Sequence, residues 1–206
     1  MAFIKKSRQN PGKIFWDWFV NHKKELENYL DKRNIPPSFI KNLNRLLHVY
    51  HPHVHAEFTV NDKGQYVLVL TADGMREGIK PVIKLAEMAP PLENWEIRKF
   101  RQPMENPVIR LGDFYYPTEK ILVVPEIDRE AGIVHLDMYV PELSMEPDLA
   151  RHLAFLYLDH GIGEYNTMTK VGGIEFYDLP EEDIPGSMSL NELRRLIERE
   201  FYGVEE

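Results

Sequence analysis

The chain of 206 residues contains no cysteine. That one absence excludes disulfides, thiolate nucleophiles, iron–sulfur clusters and cysteine-bound zinc, so any metal would have to take histidine and carboxylate ligands. No stretch reaches the roughly 18 apolar residues of a membrane-spanning helix. Residues Met1 to Arg8 carry charge and lack the apolar run of a secretory signal, so a soluble cytoplasmic protein with no membrane partner is expected. Glycine-loop motifs are missing too: there is no GxxxxGKS/T segment, and Gly161-Ile162-Gly163 lacks both the third glycine and the preceding strand of a dinucleotide fingerprint. No GxSxG occurs, which leaves serine-hydrolase chemistry without support.

What is present is core-forming material. Hydrophobic residues make up 43% of the chain, with ten Phe, ten Tyr and three Trp, enough apolar surface to offset the entropy of ordering it. The length fits one domain spanning residues 1–206. The net charge of −8 is unevenly spread. Residues 1–48 hold ten Lys and Arg against four Asp and Glu, +6, and the remaining residues hold fifteen against twenty-nine, −14. No nucleic-acid partner is expected, because a net-acidic body repels phosphate and no RNP, KH or zinc-finger pattern accompanies the basic stretch.

Asn10-Pro11 reads as an N-cap followed by proline at the first helical position. Phe15, Trp18, Phe19, Leu26, Tyr29 and Leu30 then recur at helical spacing as a core face, with Trp16 outside the stripe, where an exposed ring would mark an interface. A second helix follows Pro36-Pro37, with Phe39, Ile40, Leu43, Leu46, Leu47 and Tyr50 on one side, until Pro52 stops it. From Val54 the period is two: Val54, Ala56, Phe58 and Val60 point inward and His53, His55, Glu57 and Thr59 outward. Asn61 to Gly64 is a hairpin turn, Tyr66 to Leu70 a central strand, and Met75 to Ala86 a helix before a strand from Trp95.

The order returns in the second half. Strands at Ile121 to Val124 and Ile133 to Val140 flank the turn Asp128 to Gly132. A helix through Leu149, Leu153 and Tyr157 should stop near Gly161 in left-handed conformation, with His160 capping, before a closing strand Gly173 to Tyr177. The expected fold is therefore α+β: tandem β-β-α-β repeats forming a mainly antiparallel sheet with helices on one face, preceded by two N-terminal helices. The sub-regions are a helical lead 10–51, a first unit 53–102, a linker 103–120, a second unit 121–179 and a C-terminal helix 187–203. In the linker, Ile109 to Leu111 and Phe114-Tyr115-Tyr116 form either an extra strand or an aromatic flap. Ser189 to Glu192 offers a capping box for the last helix.

Two polar strand faces carry the chemistry. Four of the eight histidines fall between His48 and His55, and His53, His55 and Glu57 share a strand face about 6–7 Å apart, a spacing workable for a divalent metal. The bland reading is the wet face of an antiparallel sheet. His135, Asp137 and Tyr139 alternate with Val134, Leu136, Met138 and Val140, so they too face away from the core and suit a small polar ligand.

Phe15 to Phe19, Pro90 to Trp95, and Gly163-Glu164-Tyr165 together with Thr169 to Phe176 resemble a group of bacterial conserved hypothetical proteins, over nearly the whole chain. That group has no assigned activity, so the resemblance transfers no catalytic or binding residue. The expected function is a binding or regulatory module acting through protein or small-ligand contacts. The competing class is a metal-assisted hydrolase using His53, His55 and Glu57, with His135 and Asp137 as further candidates. No cofactor is expected outside that metal.

Overall fold

The computed structural model describes residues 9–105, 108–111, 114–117, 120–141 and 147–204, with residues 108–111, 114–117, 147 and 150 described by backbone alone. The chain divides into two compact units, Met1–Phe100 and Arg101–Glu206. The charge asymmetry follows that division. Unit 1 carries sixteen Lys and Arg against eleven Asp and Glu, +5, and unit 2 nine against twenty-two, −13.

In unit 1, α1 spans Pro11–Asp31, and Asn10 Oδ1 accepts from the Gly12 N–H at 3.0 Å, which satisfies one of the unpaired donors at the helix start. Its buried face is Phe15, Trp16, Phe19 and Leu26. Trp16 is thus not an interface marker. Its indole N–H donates to the Leu85 carbonyl at 2.8 Å, the partner a buried indole needs, and the ring is 3% exposed. Trp18 is the half-buried one, stacked on His22 with centroids 4.5 Å apart. Helix α2, Pro37–Tyr50, buries Phe39, Leu43, Leu46 and Leu47.

Strands β1 (His55–Val60) and β2 (Tyr66–Thr71) form an antiparallel hairpin. Its turn is fixed by Asn61 Oδ1, which accepts from the Lys63 and Gln65 N–H groups, and by Gly64 at φ 75°. From Val67 to Thr71 every residue of β2 is buried, as a central strand requires. A short 3₁₀ turn, Arg76–Gly78, leads into α3 (Ile79–Glu87), and β3 (Trp95–Lys99) returns parallel to β2. Sheet order is β1-β2-β3. Val60, expected to point inward, is 53% exposed at the end of an edge strand.

In unit 2, β4 (Val108–Leu111) and β5 (Phe114–Pro117) pair antiparallel, so this stretch contains strand backbone. The side chains of Phe114, Tyr115 and Tyr116, on which the aromatic-flap alternative rests, lie outside the described residues. Strands β6 (Leu122–Asp128) and β7 (Ile133–Val140) form a second hairpin, α4 (Pro147–Leu158) and α5 (Glu164–Lys170) follow, and β8 (Val171–Asp178) lies parallel to β7. Sheet order is β6-β7-β8. Helix α6 (Leu190–Tyr202) starts with the expected capping box, Ser189 N–H donating to Glu192 Oε2 at 2.8 Å and Glu192 N–H to Ser189 Oγ at 3.3 Å. It buries Leu190, Leu193 and Ile197 in one core with Val134, Leu136 and Met138 of β7 and Leu153, Tyr157 and Leu158 of α4.

The single, mainly antiparallel sheet is corrected by these pairings. Each unit has its own three-stranded mixed sheet, with one antiparallel and one parallel pair. The cause is connectivity: a tight turn returns a strand antiparallel, whereas a helical crossover returns it parallel.

Candidate functional site

The histidine-rich segment does not form the expected strand face. Strand β1 begins at His55, so His53 lies in the preceding turn. Its backbone N–H donates to His51 Nδ1 at 3.3 Å, and the two rings stand 5.7 Å apart. Pro52, which lacks an N–H, keeps this stretch out of the ladder. Among the described residues no group of three or more His, Asp or Glu gathers as a metal would require. His55 instead turns its exposed side chain to a groove beside α2.

His135, Asp137 and Tyr139 are brought together. Strand β7 alternates strictly, with Val134, Leu136, Met138 and Val140 buried in the core and these three half-buried on the opposite side. The register builds rows across that open face. Glu126 pairs with His135; Val124, Asp137 and Glu175 align; so do Leu122, Tyr139 and Tyr177. The Tyr139 and Tyr177 rings stack at 5.3 Å and 26°, and Tyr177 keeps 42% of its surface exposed. The neighbouring Asp137 carboxylate, with partial burial and Glu175, raises the Tyr177 pKa above its ordinary 10.0, because a phenolate would face negative charge.

His135 is oriented by two glycines. The register of β8 against β7 shifts between Val134 and Leu136, a β-bulge, and the Gly173 N–H there donates to His135 Nδ1 at 2.9 Å. A Cβ on Gly172 would lie 2.9 Å from His135 Cε1 and 2.8 Å from Ile133 Cδ1, so only glycine lets the imidazole lie there. With Nδ1 accepting, the ring proton sits on Nε2 and is available as a donor. Beyond Leu122 the face meets a groove of about 420 Å³ lined by Glu181, Glu182, Asp183 and Leu179.

A third cluster was not legible in the sequence. Helix α4 does not stop at Gly161: a π-type turn runs from Asp159 to Gly163, where φ is 89°, and α5 restarts at Glu164. Gly161 is not left-handed. It lets Leu190 approach, since an added Cβ would lie 2.9 Å from the Leu190 Cβ. The His160 carbonyl accepts from the Met104 N–H at 2.6 Å. The turn brings together Asp159 and Glu164, both buried, against buried Arg101. Arg101 Nη1 donates to Asp159 Oδ2 at 2.8 Å, the Arg101 N–H donates to Glu164 Oε2 at 2.9 Å, and the Arg101 carbonyl accepts from the Glu164 N–H at 3.1 Å. Burial, then the Glu164 charge, raise the Asp159 pKa from 3.8 to about 6 against the pull of Arg101 and a Thr167 hydrogen bond. Such a group can hold or release a proton near neutrality, but its burial directs that capacity to the fold.

Comparison with family models, with curated proteins and with solved structures returned no match. No helix among the described residues is long and apolar enough to cross a membrane. The protein is α+β in class, and its functional reading rests on its own geometry.

Proposed function

We propose that the protein is a binding module that takes a basic, Lys- or Arg-bearing segment of a partner protein on the open face of β6, β7 and β8. The observation that carries this reading is the stacked Tyr139–Tyr177 pair set beside Asp137 and Glu175, with an exposed ring and two carboxylates on one face. An aromatic face attracts an ammonium or guanidinium by about 0.5–1 kcal/mol at an exposed site, and each carboxylate adds a comparable amount. Glu126 and the acidic groove at Glu181–Asp183 extend the same sign of charge, and the −13 of unit 2 would steer a cation toward it. His135, whose Nδ1 accepts from the Gly173 N–H, presents Nε2 as a donor suited to a peptide carbonyl of the segment.

The two units are read as a tandem repeat, supported by the same strand pairing in each, hairpin antiparallel and third strand parallel to the second, although one helix makes the crossover in unit 1 and two make it in unit 2. Unit 1 buries β2 from Val67 to Thr71, whereas unit 2 leaves one face of β7 half-open, and the second copy offers this surface.

The test is fluorescence anisotropy of a labelled Lys/Arg-rich decapeptide. Wild-type protein should bind it with an affinity that falls as salt rises, and the pair Asp137→Asn with Glu175→Gln should weaken binding about three- to tenfold. Tyr177→Ala should weaken it about two- to fivefold. Equal binding by wild type and these variants would overturn the reading.

A further inference from the structure

The geometry of unit 1 points to a second site of opposite sign: we propose that the groove between α2 and the start of β1 binds a small organic phosphate monoester. No Asp or Glu occurs between Asp31 and Glu57, and α2 falls wholly within that stretch. Its core face carries Phe39, Leu43, Leu46 and Leu47. Its outer face carries Lys41, Asn44, Arg45 and His48 at steps of three, one and three, which places them side by side on one helical surface. His55, at the first position of β1, closes the other wall, and Val49, Pro52 and Val54 complete the lining. The groove has a volume of about 390 Å³, within the roughly 300–1,000 Å³ range of small-molecule sites.

The donors gathered in this groove are uncommitted and line one concavity. Among the described residues, the side chains of Lys41, Asn44, Arg45, His48 and His55 have no hydrogen-bond or ion-pair partner. Elsewhere in unit 1, Lys13 pairs with Asp17, Lys23 with Glu27 and Arg98 with Glu96. Two fixed positive charges match the two negative charges of a phosphate monoester, and the Arg fork can engage two of its oxygens at once. The imidazoles and the Asn44 amide supply further donors. The partial charge at the C-terminal end of α2, about −0.5, offsets only part of those two charges. The apolar lining adds a preference that inorganic phosphate cannot satisfy: Val49 is 58% exposed and stands ready to cover the organic part of the ligand.

The full-length protein, labelled with ¹⁵N, is titrated with phenyl phosphate, inorganic phosphate and phenol while amide shifts of residues 41–55 are followed. Phenyl phosphate should give saturable shifts confined to that segment, with a Kd between ~10 μM and ~1 mM, and bind several-fold tighter than inorganic phosphate. Arg45→Gln should weaken it about five- to tenfold, and Asn44→Glu, which places a carboxylate in the groove, should abolish it. Both positions are exposed, so the variants should keep the wild-type far-ultraviolet circular dichroism. Shifts equal for phenol and phenyl phosphate, or an Arg45→Gln affinity equal to wild type, would overturn the proposal. So would binding of a single-stranded oligonucleotide at these residues where phenyl phosphate gives no shift.

Discussion

The Arg101 guanidinium lies 2.8 Å from the Asp159 carboxylate with both side chains less than a tenth exposed. Glu164, fully buried beside them, gives the cluster two carboxylates for one guanidinium. Burial first, and then the Glu164 charge, push Asp159 up to about 6 against the pull of Arg101. The fold therefore favours the protonated acid. The stability this contributes is fully present below about 3.8, the ordinary value, and is lost as pH rises through about 6. In Asp159→Asn, which cannot ionise, that loss disappears. Chemical denaturation followed by circular dichroism from pH 4 to pH 7 should show wild type losing ground to the variant across this window, and a constant difference would refute the assignment.

Removing the cation is a harsher change. Arg101→Met removes the guanidinium paired with buried Asp159, and breaking a buried pair in this way costs about 3–5 kcal/mol. A large fall in the denaturation midpoint at pH 7, partly recovered on acidification, is the expected result. A loss below about 1 kcal/mol would mean that water already reaches the cluster.

Gly163 allows the π-type turn to end. Its φ of 89° and the 3.2 Å from an added Cβ to Pro103 Cδ make alanine there both strained and crowded. Gly163→Ala should cost about 1–3 kcal/mol in thermal or urea unfolding. Gly132→Ala is the comparison: φ is 68° but nothing lies within 4 Å of the added Cβ, so its cost should be the smaller.

His135 should carry its proton on Nε2, because Nδ1 accepts from the Gly173 N–H. Nitrogen chemical shifts in a long-range ¹H–¹⁵N spectrum distinguish the tautomers. Gly172→Ala, which drives a Cβ against the ring, should move the His135 resonances while leaving those of the α6 capping box unchanged.

Local signals were readable wherever chemistry and geometry coincide within a few residues. Asn10-Pro11, the Asn61–Gly64 turn and the Ser189–Glu192 box each formed as their side chains dictate. The alternation along Ile133–Val140 gave the open face with His135, Asp137 and Tyr139 together. Non-local pairing was not readable: nothing in Trp95–Lys99 or Val171–Asp178 announces that these strands run parallel in two separate sheets. The buried cluster was hidden by periodicity itself. At 3.6 residues per turn, Asp159 and Glu164 fall about 140° apart, whereas the wider turn relates residues five apart and brings both toward Arg101. His53 misled for the opposite reason, since its alternation with Val54 runs on ahead of His55, where the ladder begins.

On the proposed function, the open face of β6, β7 and β8 receives a basic segment. Adding the unlabelled Lys/Arg-rich decapeptide to ¹⁵N-labelled protein and mapping the amide shifts tests it most directly. Saturable changes should centre on Asp137, Tyr139, Glu175 and Tyr177, reach Glu181 to Asp183 and be lost at high salt. Changes confined to unit 1, or none at saturating peptide, would contradict it.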